Sequence, residues 1–268
     1  MTDEAGDTSS YFLRGNHAIV TGGGRGLGRT IAADLARAGA NVTVMGREHA
    51  SIDECAAELR ERFGGDARSV VCDVADPDSV SIAFSAATDA LGAAHVLVNN
   101  AGQARSAPFT ATSLDLWQHT IDVNLTGAFL CTQQVLPSML DSSAGRIVNI
   151  ASTAALRGYA TMAAYCASKH GLLGMTRSLA SEVAKSAITV NAVCPGYTEG
   201  GMSDQAVAAI MALRGVSAEE ALAMLTRHNP QKRLTTQEEV AATVVWLCSP
   251  DASAITGQAI AVAGGEVM

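Results

Sequence analysis

Seven short apolar runs alternate along this chain with longer stretches of helical spacing, a pattern that leaves few folds open. The runs are His17–Thr21, Asn41–Met45, Ser69–Cys72, His95–Asn99, Arg146–Ala151, Ile188–Cys194 and Ala259–Val262. The helical stretches lie at about 26–39, 49–63, 78–91, 112–139, 163–185 and 236–248. Runs this apolar are buried on both faces, and parallel neighbours need crossovers of a dozen residues or more. The alternation therefore predicts an α/β fold, a doubly wound seven-stranded parallel sheet with helices on both faces. With 48% hydrophobic and only 4% aromatic residues, the core is expected to be aliphatic.

The alternation breaks once, from Gly196 to about Arg233, where Gly200-Gly201, helix-like Ala206–Arg214 and Ala218–Arg227, and Asn229-Pro230 intervene. An excursion that long from a compact sheet is usually functional, most often a lid. Residues 1–10 are polar and are expected to fray. Eighteen Lys and Arg against 26 Asp and Glu leave a net charge of −8, which disfavours nucleic acid or an anionic membrane as partner. The start, Met1-Thr2-Asp3-Glu4, is acidic where a secretory signal is basic, and no apolar run approaches the ~18 residues of a membrane span, so a cytoplasmic protein is expected. The six cysteines, Cys55, Cys72, Cys131, Cys166, Cys194 and Cys248, are scattered inside apolar segments; they read as reduced core residues, with no disulfide framework and no metal site.

Directly after the first run comes Thr21-Gly22-Gly23-Gly24-Arg25-Gly26-Leu27-Gly28, leading into a helix. Glycines permit a tight turn and close backbone approach, and the free N–H groups and positive end of the helix attract a pyrophosphate. This strand–turn–helix setting makes the sheet Rossmann-type and residues 11–268 a single dinucleotide-binding domain. NAD sites of this kind usually end the second strand with a carboxylate for the ribose hydroxyls, whereas this strand ends Val44-Met45-Gly46-Arg47, 18 to 19 residues after Gly28. A guanidinium at Arg47, with Arg25 as a second, would pair with a 2′-phosphate, so NADP(H) is the expected coenzyme. The competing reading is two solvated surface charges at a site that takes NAD(H) as well. Asp73, at the end of the third strand, is placed either to meet the adenine amino group or to cap the next helix.

In the stretch 163–185, Tyr165 and Lys169 are four residues apart and share a helical face. A cation beside a phenol favours phenolate and would bring the tyrosine proton into play near neutral pH. Ser152 lies just past the fifth strand, at the edge where doubly wound sheets place their ligands. Tyr159 has Ala163 where a lysine would be needed and reads as a lid or surface tyrosine; Thr153 and Ser168 read as structural.

These features together resemble the short-chain dehydrogenase/reductase family, from residue 17 to the C-terminus. Thr21-Gly22-x-x-x-Gly26-x-Gly28 is similar to its coenzyme loop, Asn99-Asn100-Ala101-Gly102 to the motif after its fourth strand, and Ser152 with Tyr165-x-x-x-Lys169 to its active site. Asn124 matches its fourth catalytic residue and Pro195-Gly196 the turn before its lid. The resemblance implies Tyr165 as general acid and base, Ser152 as the group that polarises the substrate oxygen, Lys169 as a ribose ligand that lowers the tyrosine pKa, and Asn124 as a link in a water relay to Lys169. It implies coenzyme contacts from Thr21, Gly22, Gly24, Arg25, Gly26, Leu27, Gly28, Arg47, Asp73, Val74, Asn100, Ala101, Gly102, Tyr165, Lys169, Pro195, Gly196 and Thr198. Where the family often has a threonine four residues beyond the lid-turn glycine, this chain has Gly200, leaving Thr198 as the candidate substitute.

The implied activity is interconversion of a ketone and a secondary alcohol. The phrase Ser217-Ala218-Glu219-Glu220-Ala221 and the length of the excursion resemble the lid of polyketide and acyl-thioester ketoreductases, and Arg214, Arg227, His228, Lys232 and Arg233 form a cationic cluster suited to a coenzyme A or carrier phosphate. The cluster also fits a solvated helix face. The alternatives are an alcohol dehydrogenase for a small cyclic or hydroxy-acid substrate, and a nucleotide-binding sensor or scaffold without turnover. By the same resemblance, the stretches 112–139 and 163–185 would pair with a neighbour's copies in a homotetramer or homodimer.

Overall fold

The computed structural model describes residues 11–142 and 144–268. The segment expected to fray, residues 1–10, lies outside the described residues. All seven expected strands are present: β1 (His17–Thr21), β2 (Asn41–Gly46), β3 (Ala67–Val71), β4 (Val96–Asn99), β5 (Gly145–Ile150), β6 (Ile188–Pro195) and β7 (Ala259–Val262). They form one parallel sheet in the order β3-β2-β1-β4-β5-β6-β7. Strand ends differ from expectation by no more than two residues. The widest shift is β3, a half-exposed edge strand whose apolar signal is diluted by Arg68 and Ser69.

Burial on both faces follows from the two-residue period of a strand. In β1, Ala18 and Val20 pack with Ile31 and Leu35 of α1 (Gly26–Arg37), Ile52 and Leu59 of α2 (His49–Phe63) and Leu247 near the chain's end. Ile19 between them packs the opposite way, with Val80 and Phe84 of α3 (Pro77–Leu91).

The stretch 112–139 is not one helix. It consists of α4 (Leu114–Ile121), started by the Ser113 side chain, a π-helical turn over Asp122–Thr126, and α5 (Gly127–Asp141). A π turn admits one extra residue per turn and marks functional positions in many helices. Here it encloses Asn124. Next come α6 (Ala163–Glu182) and, in the excursion after β6, α7 (Gly201–Arg214) and α8 (Ala218–Leu225). The first of these begins five residues before the expected Ala206, because Gly200 at φ +100° turns the chain sharply into it. The phrase Ser217-x-x-Glu220 is the capping box of α8, a local reason for its presence. The last helix, α9 (Gln237–Cys248), joins α1 and α2.

No helix among the described residues is long and apolar enough to cross a membrane. All six cysteines are free thiols, five of them buried. No cluster of three or more metal-ligating side chains occurs among the described residues.

Candidate active site

The sheet order reverses between β1 and β4, and the loops after these two strands face each other at the carboxyl edge, where doubly wound sheets take their ligands. Gly22 and Gly26 stand at φ +64° and +53°, a region that other residues avoid. A Cβ on Gly28 would lie 2.3 Å from the Gly22 carbonyl oxygen, so loop and helix touch backbone to backbone there. A Cβ on Gly26 would meet nothing within 4 Å. Space therefore opens above the first turn of α1, whose N–H groups have neither a side-chain cap nor an acidic neighbour in that turn. Such a cradle fits the pyrophosphate of a dinucleotide.

Thr21 and Asn100 hold the two loops together. The Asn100 amide donates to the carbonyl oxygens of Thr21 and Gly22 at 2.9 and 3.1 Å, and the Asn100 and Ala101 backbone N–H groups both donate to the Thr21 hydroxyl at 3.1 Å. With Thr21 fully buried, its part is to shape the cleft.

At the end of β2, the Arg47 guanidinium is exposed and lies 3.9 Å from Asp73 Oδ2; Arg25 is exposed on the glycine loop. Asp73 is not the cap of α3. Its Oδ1 accepts from the Ala75 N–H in a local turn, and the capping side chain is Asp76, which accepts from the Asp78 N–H. The neighbouring Val74 is buried against Gly127 at the start of α5.

The second half of the cleft gathers around β5. Ser152 follows the strand and caps a short 3-10 turn, Thr153–Ala155, its Oγ accepting from the Ala154 N–H at 3.1 Å. That leaves the hydroxyl proton free to be donated elsewhere. From α6, Lys169 reaches back to the same strand end, its Nζ donating to the Ile150 carbonyl oxygen at 2.8 Å and lying 5.8 Å from the centre of the Tyr165 ring. Asn124 is bound on every side: its amide donates to Gln103 O at 2.9 Å and Ser168 Oγ at 3.0 Å, and its Oδ1 accepts from Gln103 N–H at 2.8 Å. Ser168 in turn donates to the Tyr165 carbonyl oxygen. A Cβ on Gly102 would lie 3.3 Å from Asn124 Oδ1 and 3.6 Å from Lys169 Nζ, so the glycine keeps open the space between amide and ammonium.

Burial shifts both members of the Tyr165–Lys169 pair. Burial pushes the Lys169 ammonium down to about 8. Burial also pushes the Tyr165 phenol up, with the Ser152 hydroxyl pulling the other way. Desolvation disfavours the charged form of both groups.

Two further positions are fixed by partners remote in the chain. Tyr159 is half-buried, its phenol bonded to Thr153 and Glu266, and burial holds it well above the ordinary tyrosine range. At Gly200, a Cβ would lie 2.6 Å from Gln237 Nε2. Gln237 donates to the Glu199 carbonyl oxygen and accepts from the Thr30 hydroxyl, both at 2.9 Å, tying the start of the excursion to α1. Nothing in the local sequence announces Gln237 or Gln103, since their partners lie 38 and 21 residues away. Placing the family's threonine here is therefore expected to harm the fold. Gly200→Thr combines a forbidden φ with a collision and should lower Tm by roughly 3–8 °C in a thermal scan. An unchanged Tm would show that the segment relaxes freely.

Beside Gly200, the Thr198 hydroxyl donates to the Gly196 carbonyl oxygen at 3.1 Å, and Gly196 N–H donates to Val262 O at 3.0 Å, fixing the turn after buried Pro195. In the cationic cluster, Arg233 is held by both carboxylate oxygens of Glu239, and Lys232 Nζ donates to the Arg227 carbonyl oxygen.

Comparison with known proteins extends the pattern over nearly the whole chain. Residues 16–210 match the family described as short chain dehydrogenase. Over 250 residues the chain is 40% identical to a protein provisionally named ketoacyl reductase 1 of the granaticin polyketide synthase of Streptomyces violaceoruber, covering 92% of each. Over 253 residues it is 38% identical to the 3-oxoacyl-acyl-carrier-protein reductase FabG of Aquifex aeolicus, covering 94% of this chain and 98% of that protein. The crystal structure of a variant actinorhodin polyketide ketoreductase with NADPH matches with a TM-score of 0.89 at 39% identity, over 94% of this chain and 97% of that one.

Proposed function

This chain belongs to the short-chain dehydrogenase family, as an NAD(P)-dependent oxidoreductase that interconverts a ketone and a secondary alcohol, and from that premise we propose that it reduces a 3-oxoacyl thioester with NADP(H). The observation that carries the reading is the meeting of Ser152, Tyr165 and Lys169 at the carboxyl end of β5, across the cleft from the glycine cradle. Relatives named as ketoacyl and 3-oxoacyl reductases, alike over nearly their full length, support the thioester.

The bound coenzyme supplies the hydride, and the protein orients the substrate and moves one proton. Ser152, whose hydroxyl proton is not used in capping the turn, donates to the substrate oxygen and polarises it. Tyr165 gives the proton in reduction and takes it in oxidation. Lys169 holds the nicotinamide ribose and recharges the phenol, and Asn124 orders water in the space kept by Gly102. Gly22, Gly24, Gly26, Leu27 and Gly28 hold the pyrophosphate, while Val74, Ala101, Gly196 and Thr198 line the remaining length. The excursion at about 196–233 closes over the substrate, and Arg214, Arg227, His228 and Lys232 attract the phosphates of its carrier. The test is NADPH oxidation with acetoacetyl-CoA, cyclohexanone and a small oxo acid, and preference for either of the latter two would overturn the thioester.

Coenzyme choice rests on Arg47 with Arg25. The Arg47 side chain is 68% exposed, so its pairing with a 2′-phosphate is screened and worth the low end of a charge-assisted bond. Arg47→Ala is expected to lower kcat/KM for NADPH about tenfold and leave NADH almost unchanged. Equal losses with both coenzymes would mean that Arg47 serves the fold. We further propose a cytoplasmic enzyme and, by the family likeness, a homotetramer or homodimer joined through α4, α5 and α6, where Phe129 and Leu140 stand exposed. Light scattering from a monomer-sized particle would refute the assembly.

A further inference from the structure

Loops after three adjacent strands meet beside the reaction centre: the β5 loop with Ser152, Thr153, Arg157 and Tyr159, the start of the excursion after β6, and the C-terminal segment after β7. In that last segment Gly264 and Gly265 stand at φ +57° and +88°, packed against Asn229 and Pro230, and the turn directs Glu266 inward. The Glu266 side chain is 4% exposed. Its Oε1 accepts from the Tyr159 phenol at 2.7 Å, and Tyr159 and Thr153 hydroxyls are themselves 2.7 Å apart. The Arg157 guanidinium stacks 4.8 Å above the Tyr159 ring and lies 4.0 Å from the same carboxylate. A Cβ on Gly196 would reach within 3.4 Å of Glu266 Oε2, so the carboxylate also fills the space under the lid turn.

The hydrogen-bond directions are forced. An ionised carboxylate only accepts, so Tyr159 donates to Glu266, and the phenol oxygen is left to accept from Thr153. Thr153 is the first residue of the turn that Ser152 caps. We infer that Glu266 is a positioning residue for the reaction: through Tyr159 and Thr153, the C-terminal segment holds the turn that places the Ser152 hydroxyl against the substrate oxygen. This rests on the reading of Ser152 and Tyr165 as the reacting pair. It gives Tyr159, which stands in the loop before α6 with Ala163 four residues on, a part other than proton transfer.

The experiment compares Glu266→Ala, Glu266→Gln, Tyr159→Phe and the double variant Tyr159→Phe/Glu266→Ala, with acetoacetyl-CoA and NADPH as probes. A misplacement near 1 Å at a reacting group costs up to about a hundredfold, so Glu266→Ala and Tyr159→Phe should each lower kcat roughly tenfold. For Tyr159→Phe, NADPH affinity, read by coenzyme fluorescence, should stay within about twofold, because the bond it removes leads to Ser152 and not to the Gly196 turn that Glu266 also underlies. Glu266→Gln keeps a carbonyl acceptor and should restore most of the activity. The double variant should lose no more than the worse single one, since all act through one contact. Wild-type kcat in a folded Glu266→Ala, fully additive losses, or losses confined to NADPH binding would each overturn the inference. If Glu266→Ala does not fold, Tyr159→Phe with wild-type kcat does the same. Tyr165→Phe serves as reference: an active Tyr165→Phe sinks the reading of the site, whereas an inactive one beside an active Glu266→Ala sinks this inference alone.

Discussion

Tyr165→Phe is expected to turn over at least about 100-fold more slowly than the wild type, and up to about 10⁴-fold, while binding NADPH unchanged. The substitution removes one oxygen and its proton and leaves the ring packed as before. Burial already holds the Tyr165 phenol in its protonated form, ready to donate, and Ser152 is the group that eases its ionisation. Rapid-quench or steady-state rates with acetoacetyl-CoA measure the loss, and fluorescence titration checks the coenzyme. Retention of more than about a tenth of wild-type kcat would place the acid elsewhere, and Tyr159 would not replace it, because its proton is held by Glu266.

Lys169→Met should separate activity from stability. The ammonium is 4% exposed, has one protein acceptor, the Ile150 carbonyl oxygen, and titrates at about 8 in the folded chain against an ordinary value of 10.5. Between these two values the unfolded chain binds the proton and the folded chain does not, so the wild type gains stability as pH rises from about 8 to 10.5. Below pH 8 the penalty is fully present, on the order of 3 kcal/mol. Methionine removes it and leaves the Ile150 carbonyl unpaired, which costs about 1 kcal/mol. Lys169→Met is therefore expected to equal or exceed the wild type in stability at pH 7 by roughly 1–2 kcal/mol, with the difference shrinking toward pH 10. Its kcat/KM should fall by more than about 100-fold, since ribose contact and proton supply go together. Urea unfolding at pH 7 and 9.5 decides. A pH-independent difference, or a variant clearly weaker at pH 7, would show that the buried charge is compensated in a way these contacts do not provide.

The corrected expectations share a cause. The stretch 112–139 has one helical period throughout, and nothing local signals that Asn124 will widen a turn. The pull comes from Gln103 and Ser168, 21 and 44 residues away. Asp73 looked equally like a cap or an adenine ligand, and Asp76 took the cap because Pro77 begins α3 right after it. Tyr159 read as a lid or surface tyrosine, and its partner Glu266 lies 107 residues on, at the C-terminus. The spacing of four between Tyr165 and Lys169 says only that the two share a face, and the desolvation of both depends on what covers that face.

What the sequence by itself determined is whatever short-range physics decides. The number and approximate positions of the strands follow from runs mostly too apolar to be half-exposed, the coenzyme loop from glycines set between strand and helix, and Tyr165 above Lys169 from the pitch of α6. The tertiary structure alone decided which polar groups face which across the sheet, because those partners are remote in the chain and meet only when three strand ends come side by side. Gln237 under Gly200, Gln103 around Asn124 and Glu266 beneath Tyr159 are all of this kind. Burial, which sets the titration of Tyr165 and Lys169, likewise exists only once the two faces of the sheet are covered.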